Sequence, residues 1–321
     1  MAYVPYAAFD PIFFLHHAMV DRVFAMWQVL YPKSYVVPKP SQMGTYTTSV
    51  GEIEKPTSPL TPFHDGTTGV FWTSDAVKST TSFGYSYAET VNMNGSTENE
   101  IIANLKKTIN LLYGATEVAN VQRRDGRLYK KQVAHLASKK SAFEVARQVE
   151  STDQSGVSTS GDVPGTFHRE WIANMVVEKY SLNASFFIHL LLGEFNPEPF
   201  SWSFEPNLVG THYIFAQALN PACVTCNPDQ QVSATLPLTS AILDRFQKVQ
   251  LLSLQQEDVK EYLVEHLRYR LTRLNDTEVP NVEVPSLKID IVSAVVTNPS
   301  SDSDFPVWGP LAKEFELDGN L

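Results

Sequence analysis

Residues 150–166 read ESTDQSGVSTSGDVPGT, a stretch of Ser, Thr, Gly and Asp without apolar periodicity. Such a run reads as a surface loop or linker and divides the chain in two. Ahead of it the apolar residues recur mainly at helical spacing. Behind it they fall into short β-rich runs separated by Gly, Asn and Pro, among them REWIANMVVEKY, ASFFIHLLLG, THYIFAQAL and SLKIDIVSAVV. Strands of that length and spacing suggest an antiparallel sandwich. Two helical inserts, LTSAILDRFQKVQLL and QEDVKEYLVEHL, interrupt them. The expected class is therefore α+β, with a mainly helical first part, a linker and a β-sandwich.

In the first part, Phe13, Val20, Phe24 and Trp27 mark a helix over residues 11–30, with Asp10 as its cap and Pro11 in its first turn. Residues 31–62 are rich in Pro, Ser and Thr and read as irregular chain, followed by a short turn or helix near Ser74–Lys78. A second helix follows Thr97 and Glu100, which have capping-box spacing. Ile102, Leu105, Ile109 and Leu112 form its stripe, and Gly114 ends it.

Composition excludes several partners. The 321 residues carry a formal net charge of −10, with no basic stripe to neutralise a nucleic-acid backbone. No apolar run approaches the roughly 18 residues of a membrane span. Nor does a basic segment precede an apolar one at the start, as in a signal peptide. A cytoplasmic location, away from membranes, is the expectation. Two cysteines, Cys223 and Cys226, are too few for a disulfide framework.

FDPIFFLHHAMVDRVFAMWQ, residues 9–28, holds the strongest chemical signal. His16 and His17 are adjacent, so on a helix they point about 100° apart and cannot easily share a metal. Phe13, His17 and Asp21 instead lie on one face at i, i+4 and i+8. An imidazole followed one turn later by a carboxylate is how a metal-bound histidine is commonly kept in place. By itself the pattern also suits a histidine packed in a core or on a surface.

The segment DPIFFLHHAMVDR resembles the second copper-binding signature of tyrosinases, catechol oxidases and hemocyanins, through Asp10, Pro11, Phe13, Phe14, His17 and Asp21. Further on, residues 61–89 resemble the stretch that closes the catalytic domain of fungal tyrosinases, and Tyr85-Ser86-Tyr87 matches the Tyr-x-Tyr at its end. From REWIANMVVEKY through PNLVG the chain resembles the fungal tyrosinase C-terminal domain, a β-sandwich that shields the active site. The resemblance implies a part of a tyrosinase, a type-3 copper polyphenol oxidase. Such enzymes act as monophenol monooxygenase and catechol oxidase, using O2 at two coppers held by three histidines each, and their o-quinones feed melanin-type pigments. It makes His17 a copper-B ligand, with His16 the lesser candidate, Phe13 the aromatic beside the site and Asp21 a supporting residue. It divides the chain into residues 1–90, the C-terminal part of the copper-binding domain; 91–166, a helical segment and linker; and 167–321, the shielding domain. The fungal-type linker and C-terminal domain speak against an oxygen carrier of hemocyanin type.

The sequence departs from that pattern in its histidines. His64, His135, His168, His189, His212 and His266 form no H-x-x-x-H pair, so His17 is the single histidine that matches a family ligand. The expectation is a chain that begins at an internal methionine of a longer tyrosinase, retains one of six copper histidines and is inactive alone. The alternative is a non-catalytic shielding or copper-delivery module. Cys223-x-x-Cys226 lies between prolines in NPACVTCNP. It allows an inert or locally disulfide-linked pair, a redox pair, or soft thiolate ligation of Cu(I). The fungal C-terminal domains carry a comparable loop linked to copper loading, which makes a copper donor a possible partner. Tyr213 and Phe215, just upstream, are candidates for the aromatic that the family places where the phenolic substrate would sit. Core packing on one strand face accounts for them equally well.

Overall fold

The fold is described from a computed structural model, for residues 4–41, 47–66, 69–91, 96–113, 167–219 and 229–318. The chain forms two compact units. One comprises Met1–Tyr113, Phe215–Gln230 and Asp302–Asp304; the other Gly114–Ile214, Gln231–Ser301 and Phe305–Leu321.

In the first unit, a 3-10 turn at Val4–Phe9 leads into helix α1, Pro11–Leu30. Asp10 is extended and its carboxylate accepts from the Ile12 N–H at 3.1 Å, while Pro11 occupies a position whose N–H has no helical partner. Two short antiparallel pairs follow: β1 (Lys39–Pro40) with β2 (Ile53–Glu54), and β3 (Pro59–His64) with β4 (Phe71–Thr73). These pairs correct the reading of residues 31–62 as wholly irregular. Pro40, Pro59 and Pro62 cannot donate to a ladder, which keeps the strands short and their sequence unlike a strand. The turn expected near Ser74–Lys78 is present at residues 74–77. Helix α2, Glu98–Tyr113, begins at the expected capping box. The Thr97 N–H donates to the Glu100 carboxylate at 2.7 Å, and the Glu100 N–H to the Thr97 hydroxyl at 3.4 Å.

The second unit holds two antiparallel sheets. One runs β10 (Glu278–Val279), β9 (Leu267–Arg273), β6 (Phe186–Leu192), β7 (Leu208–Ile214). The other runs β12 (Val307–Trp308), β11 (Lys288–Thr297), β5 (Phe167–Glu178), β8 (Gln231–Pro237), and β13 (Ala312–Glu316) shares the β12 side of β11. In β5, Trp171, Ala173, Met175 and Val177 are buried while the alternate residues are not, the period of a strand with one face on a core. They meet Phe186, Ile188 and Leu190 of β6, Leu271 of β9 and Ile289 and Ile291 of β11 in a single cluster. Helix α3 (Thr239–Gln247) adds Ile242 and Phe246 to it, and helix α4 (Gln256–His266) adds Val259 and Leu263. The expected sandwich and both helical inserts are thus present. Among the described residues no helix is long and apolar enough to cross a membrane.

Candidate metal centre

Helix α1 holds His17 in a defined way. Its Nδ1 lies 2.7 Å from the Phe13 carbonyl oxygen one turn back, and its ring packs on Phe13 with centroids 4.1 Å apart. A carbonyl oxygen can only accept, so Nδ1 carries the proton and Nε2 keeps its lone pair. That is the tautomer a metal ligand needs, fixed by the main chain. His16 meets His17 edge-on at 5.3 Å, and both are exposed. Thus His17 and Phe13 are brought together on one face, and the His16 ring stands edge-on to that of His17.

Asp21 works through other partners. Its carboxylate accepts from the Tyr85 hydroxyl at 2.8 Å and the Tyr87 hydroxyl at 2.5 Å. Tyr87 also reaches the Ala18 carbonyl at 3.3 Å. The Tyr-x-Tyr motif, which marks only an end point in the sequence, is therefore a two-pronged clasp on the histidine helix. Burial, with the Asp21 hydrogen bond next, pushes the Tyr85 phenol up to about 12. For Tyr87, also raised, the Asp21 hydrogen bond comes first. Arg22 makes the neighbouring tie, an ion pair with Glu89 and a hydrogen bond of 3.3 Å to the Tyr113 hydroxyl at the end of α2. Glu89 accordingly sits below the ordinary carboxylate range, chiefly through its hydrogen bond from Arg22, and the guanidinium is pushed up in return. The sequence gives no spacing signal for the Arg22–Glu89–Tyr113 set, because its members lie 67 and 91 residues apart from Arg22. A cavity of about 500 Å³ opens beside Asp21, walled by Phe24, Tyr35, Phe63, Trp72 and Phe83.

Four of the other histidines have structural partners among the described residues. His168 is buried between Asn298 and Glu170, both at 2.9 Å, and His189 between two threonines. His64 stacks on Phe71, and the His266 ring is tilted against Tyr262 with centroids 4.4 Å apart. Burial lowers the pKa of the half-buried His212. His135, Cys223 and Cys226 lie outside the described residues. Among the described residues no three His, Cys, Asp or Glu side chains gather as a metal site would require. Tyr213 and Phe215 do not share a strand, because β7 ends at Ile214. Tyr213 packs on Phe187 with ring centroids 4.8 Å apart, whereas Phe215 is 39% exposed.

A sandwich unit and a histidine-bearing helix clasped by a Tyr-x-Tyr motif define the class. Residues 170–291 match the tyrosinase C-terminal domain, and residues 1–30 match the common central domain of tyrosinase. The chain belongs to the tyrosinase family. It is 32% identical to a tyrosinase of Neurospora crassa over 92% of its length and 53% of that protein. It is 30% identical to a tyrosinase of Podospora anserina over 76% of its length and 46% of that protein. The chain therefore spans about half the length of these curated relatives. Its fold is similar to that of recombinant mushroom tyrosinase, with a TM-score of 0.65 at 22% identity, covering 97% of this chain and 50% of the other.

Proposed function

We propose that the chain is part of a copper polyphenol oxidase that oxidises monophenols and o-diphenols to o-quinones with O2, in melanin-type pigment formation. The observation that carries this is the pinned tautomer of His17, which leaves Nε2 available on a helix whose sequence matches the tyrosinase central domain. Imidazole suits copper in both of its common oxidation states. The copper pair, when bound, supplies the O2 chemistry. This chain supplies His17 as one ligand, Phe13 as the aromatic wall beside it, and Asp21 with Tyr85 and Tyr87 as the clasp that fixes the helix. In this reading residues 1–90 end the copper-binding domain, 91–166 connect, and 167–321 are the shielding domain. Since His17 is the single histidine of this chain that matches a family ligand, the 321-residue chain alone is expected not to oxidise catechol above free copper.

A second reading, a shielding or copper-delivery module, draws on Phe215. It opens the stretch Phe215–Gln230 that belongs to the same unit as His17, while Tyr213 stays in the other unit on its strand. Phe215 is therefore the better candidate for the aromatic occupying a substrate position. The Cys223–Cys226 pair in that stretch would accept Cu(I) through soft thiolates from a copper donor.

The test is copper content and catechol oxidation by the full gene product that includes this chain, beside its His17→Ala variant. The proposal expects the variant to lose one of two coppers and the oxidation with it. Unchanged copper content and rate in the variant would remove His17 from the site.

A further inference from the structure

Strand β6 carries a histidine that the proposed chemistry does not use. His189 is 1% exposed and sits on an interior strand between β7 and β9. Its Nδ1 lies 3.0 Å from the Thr211 hydroxyl of β7, and its Nε2 lies 2.9 Å from the Thr272 hydroxyl of β9. One imidazole thus bridges three strands. A neutral ring has one N–H and one lone pair, and the two hydroxyls supply one acceptor and one donor. Trp202 stands edge-on at 6.1 Å and Phe187 tilts against the ring at 5.9 Å, so the surroundings are largely aromatic.

Few charges face the ring. Asp276, in the turn after β9, favours the charged form. Arg270 lies opposite His189 in register, but its guanidinium is over the Phe195 ring at 5.3 Å and 4.0 Å from Glu278. Glu278 pairs with Thr272 across the β9–β10 edge. Strand β7 offers only His212 and Tyr213 as titratable side chains. The Pro199–Phe204 turn that carries Trp202 has no charged residue, with Glu198 and Glu205 flanking it. Desolvation outweighs Asp276 and holds the imidazole at about 4.

We propose that His189 is an acid-triggered switch in the four-stranded sheet: neutral, it ties β7, β6 and β9 together; protonated, it cannot stay buried and the sheet loosens. Protonation turns both ring nitrogens into donors. The threonine hydroxyl that had been donating loses its acceptor, and a charge is left in an apolar surround. The sign follows from linkage. An unfolded histidine binds its proton near 6.5 and the folded one near 4, so the contribution is complete above 6.5 and is lost as pH falls toward 4. The gap corresponds to a roughly 300-fold fall in the folding constant. This inference stands on the sandwich alone, independently of the copper reading.

The experiment is denaturant unfolding of the full 321-residue chain at pH 7.5, 5.5 and 4.5, wild type beside His189→Gln. Glutamine keeps a donor and an acceptor but does not titrate. The wild type should lose on the order of 100-fold more folding constant than the variant between pH 7.5 and 4.5. The same pH dependence in both proteins would overturn the switch. If the variant does not fold, carbon-13 histidine NMR of the wild type decides. A His189 signal that stays neutral to about pH 4.5, then changes as sheet amide protection is lost, supports it. A signal titrating near 6.5 with the sheet intact defeats it.

Discussion

Strand β6 and helix α1 are both dense in large apolar residues, and they fare differently. In β6, all of Phe186–Leu192 is buried except Phe187. In α1, 20 residues bury only Ala25 and Met26, while Ile12, Phe14, Leu15, Met19, Val20, Val23 and Phe24 are exposed. The strand lies within one sheet of a sandwich whose other sheet covers its inner face, so its burial is supplied by the unit it belongs to. The helix is apolar on more than one side, the pattern of a bundle interior. Clasps at Asp21 and Arg22 fix one side of it to Tyr85, Tyr87, Glu89 and Tyr113 and leave the rest uncovered. Polar ties can therefore orient a helix that hydrophobic burial does not yet hold.

Large-to-small substitutions should separate the two most widely. Phe186→Ala removes a ring with no exposed area from the sandwich cluster and should cost about 3–5 kcal/mol in denaturant unfolding of that unit. Phe14→Ala, at a ring 62% exposed, should change stability by no more than about 0.5 kcal/mol. Equal costs would mean that α1 is packed in solution in a way this arrangement does not contain.

The clasp offers a subtler break. Asp21→Asn keeps the shape but removes the charged acceptor shared by Tyr85 and Tyr87. Tyr87, held up mainly by that hydrogen bond, should fall most of the way to an ordinary phenol. Tyr85, held up mainly by burial, should fall only part of the way from about 12. Because a raised phenol pKa favours the folded state only while the phenol is neutral, the Tyr85 contribution is present below pH 10 and fades toward 12. In the variant this alkaline loss should still begin near 10, the unfolded value, but should be smaller and end at lower pH. Ultraviolet titration of tyrosinate in both proteins reads the shifts, and identical curves would show that the clasp is not formed.

What was legible in the sequence follows from how far each signal reaches along the chain. The Asp10–Pro11 start of α1, the Thr97–Glu100 box of α2 and the alternation in β5 are local, and each appears where its spacing places it. The β1–β2 and β3–β4 pairs were not legible, because proline-limited strands of two to six residues lack a period. At the candidate site, the i, i+4 relation of Phe13 and His17 was readable because a helix fixes it. The partners of Asp21 were not, since pairs more than 60 residues apart are set by the fold. The motif Tyr85-x-Tyr87 was visible, but what it holds was not.

The smallest expected effect concerns the start of α2. Thr97 and Glu100 satisfy each other's backbone N–H groups, and Leu105 is the single fully buried residue of the helix. With so little packing, the cap is a large share of what keeps the first turn wound. Thr97→Ala should cost about 1 kcal/mol of helix stability, and Thr97→Ser much less, because the serine hydroxyl can make the same bond. The Glu100 carboxyl, held below its ordinary range first by the Thr97 backbone N–H and then by the Thr97 hydroxyl, should move only part of the way back up in the alanine variant, which keeps the backbone bond. Since a lowered carboxyl stabilises the fold above its unfolded pKa and stops doing so as pH falls through the folded value, the wild-type cap should weaken in acid and the alanine variant should show a smaller step. Amide exchange over residues 98–104 measures it. Faster exchange there, with the β5 and β6 amides unchanged, would show the helical unit frays at its own caps while the sandwich holds; faster exchange in β5 and β6 as well would mean the two units share one cooperative transition.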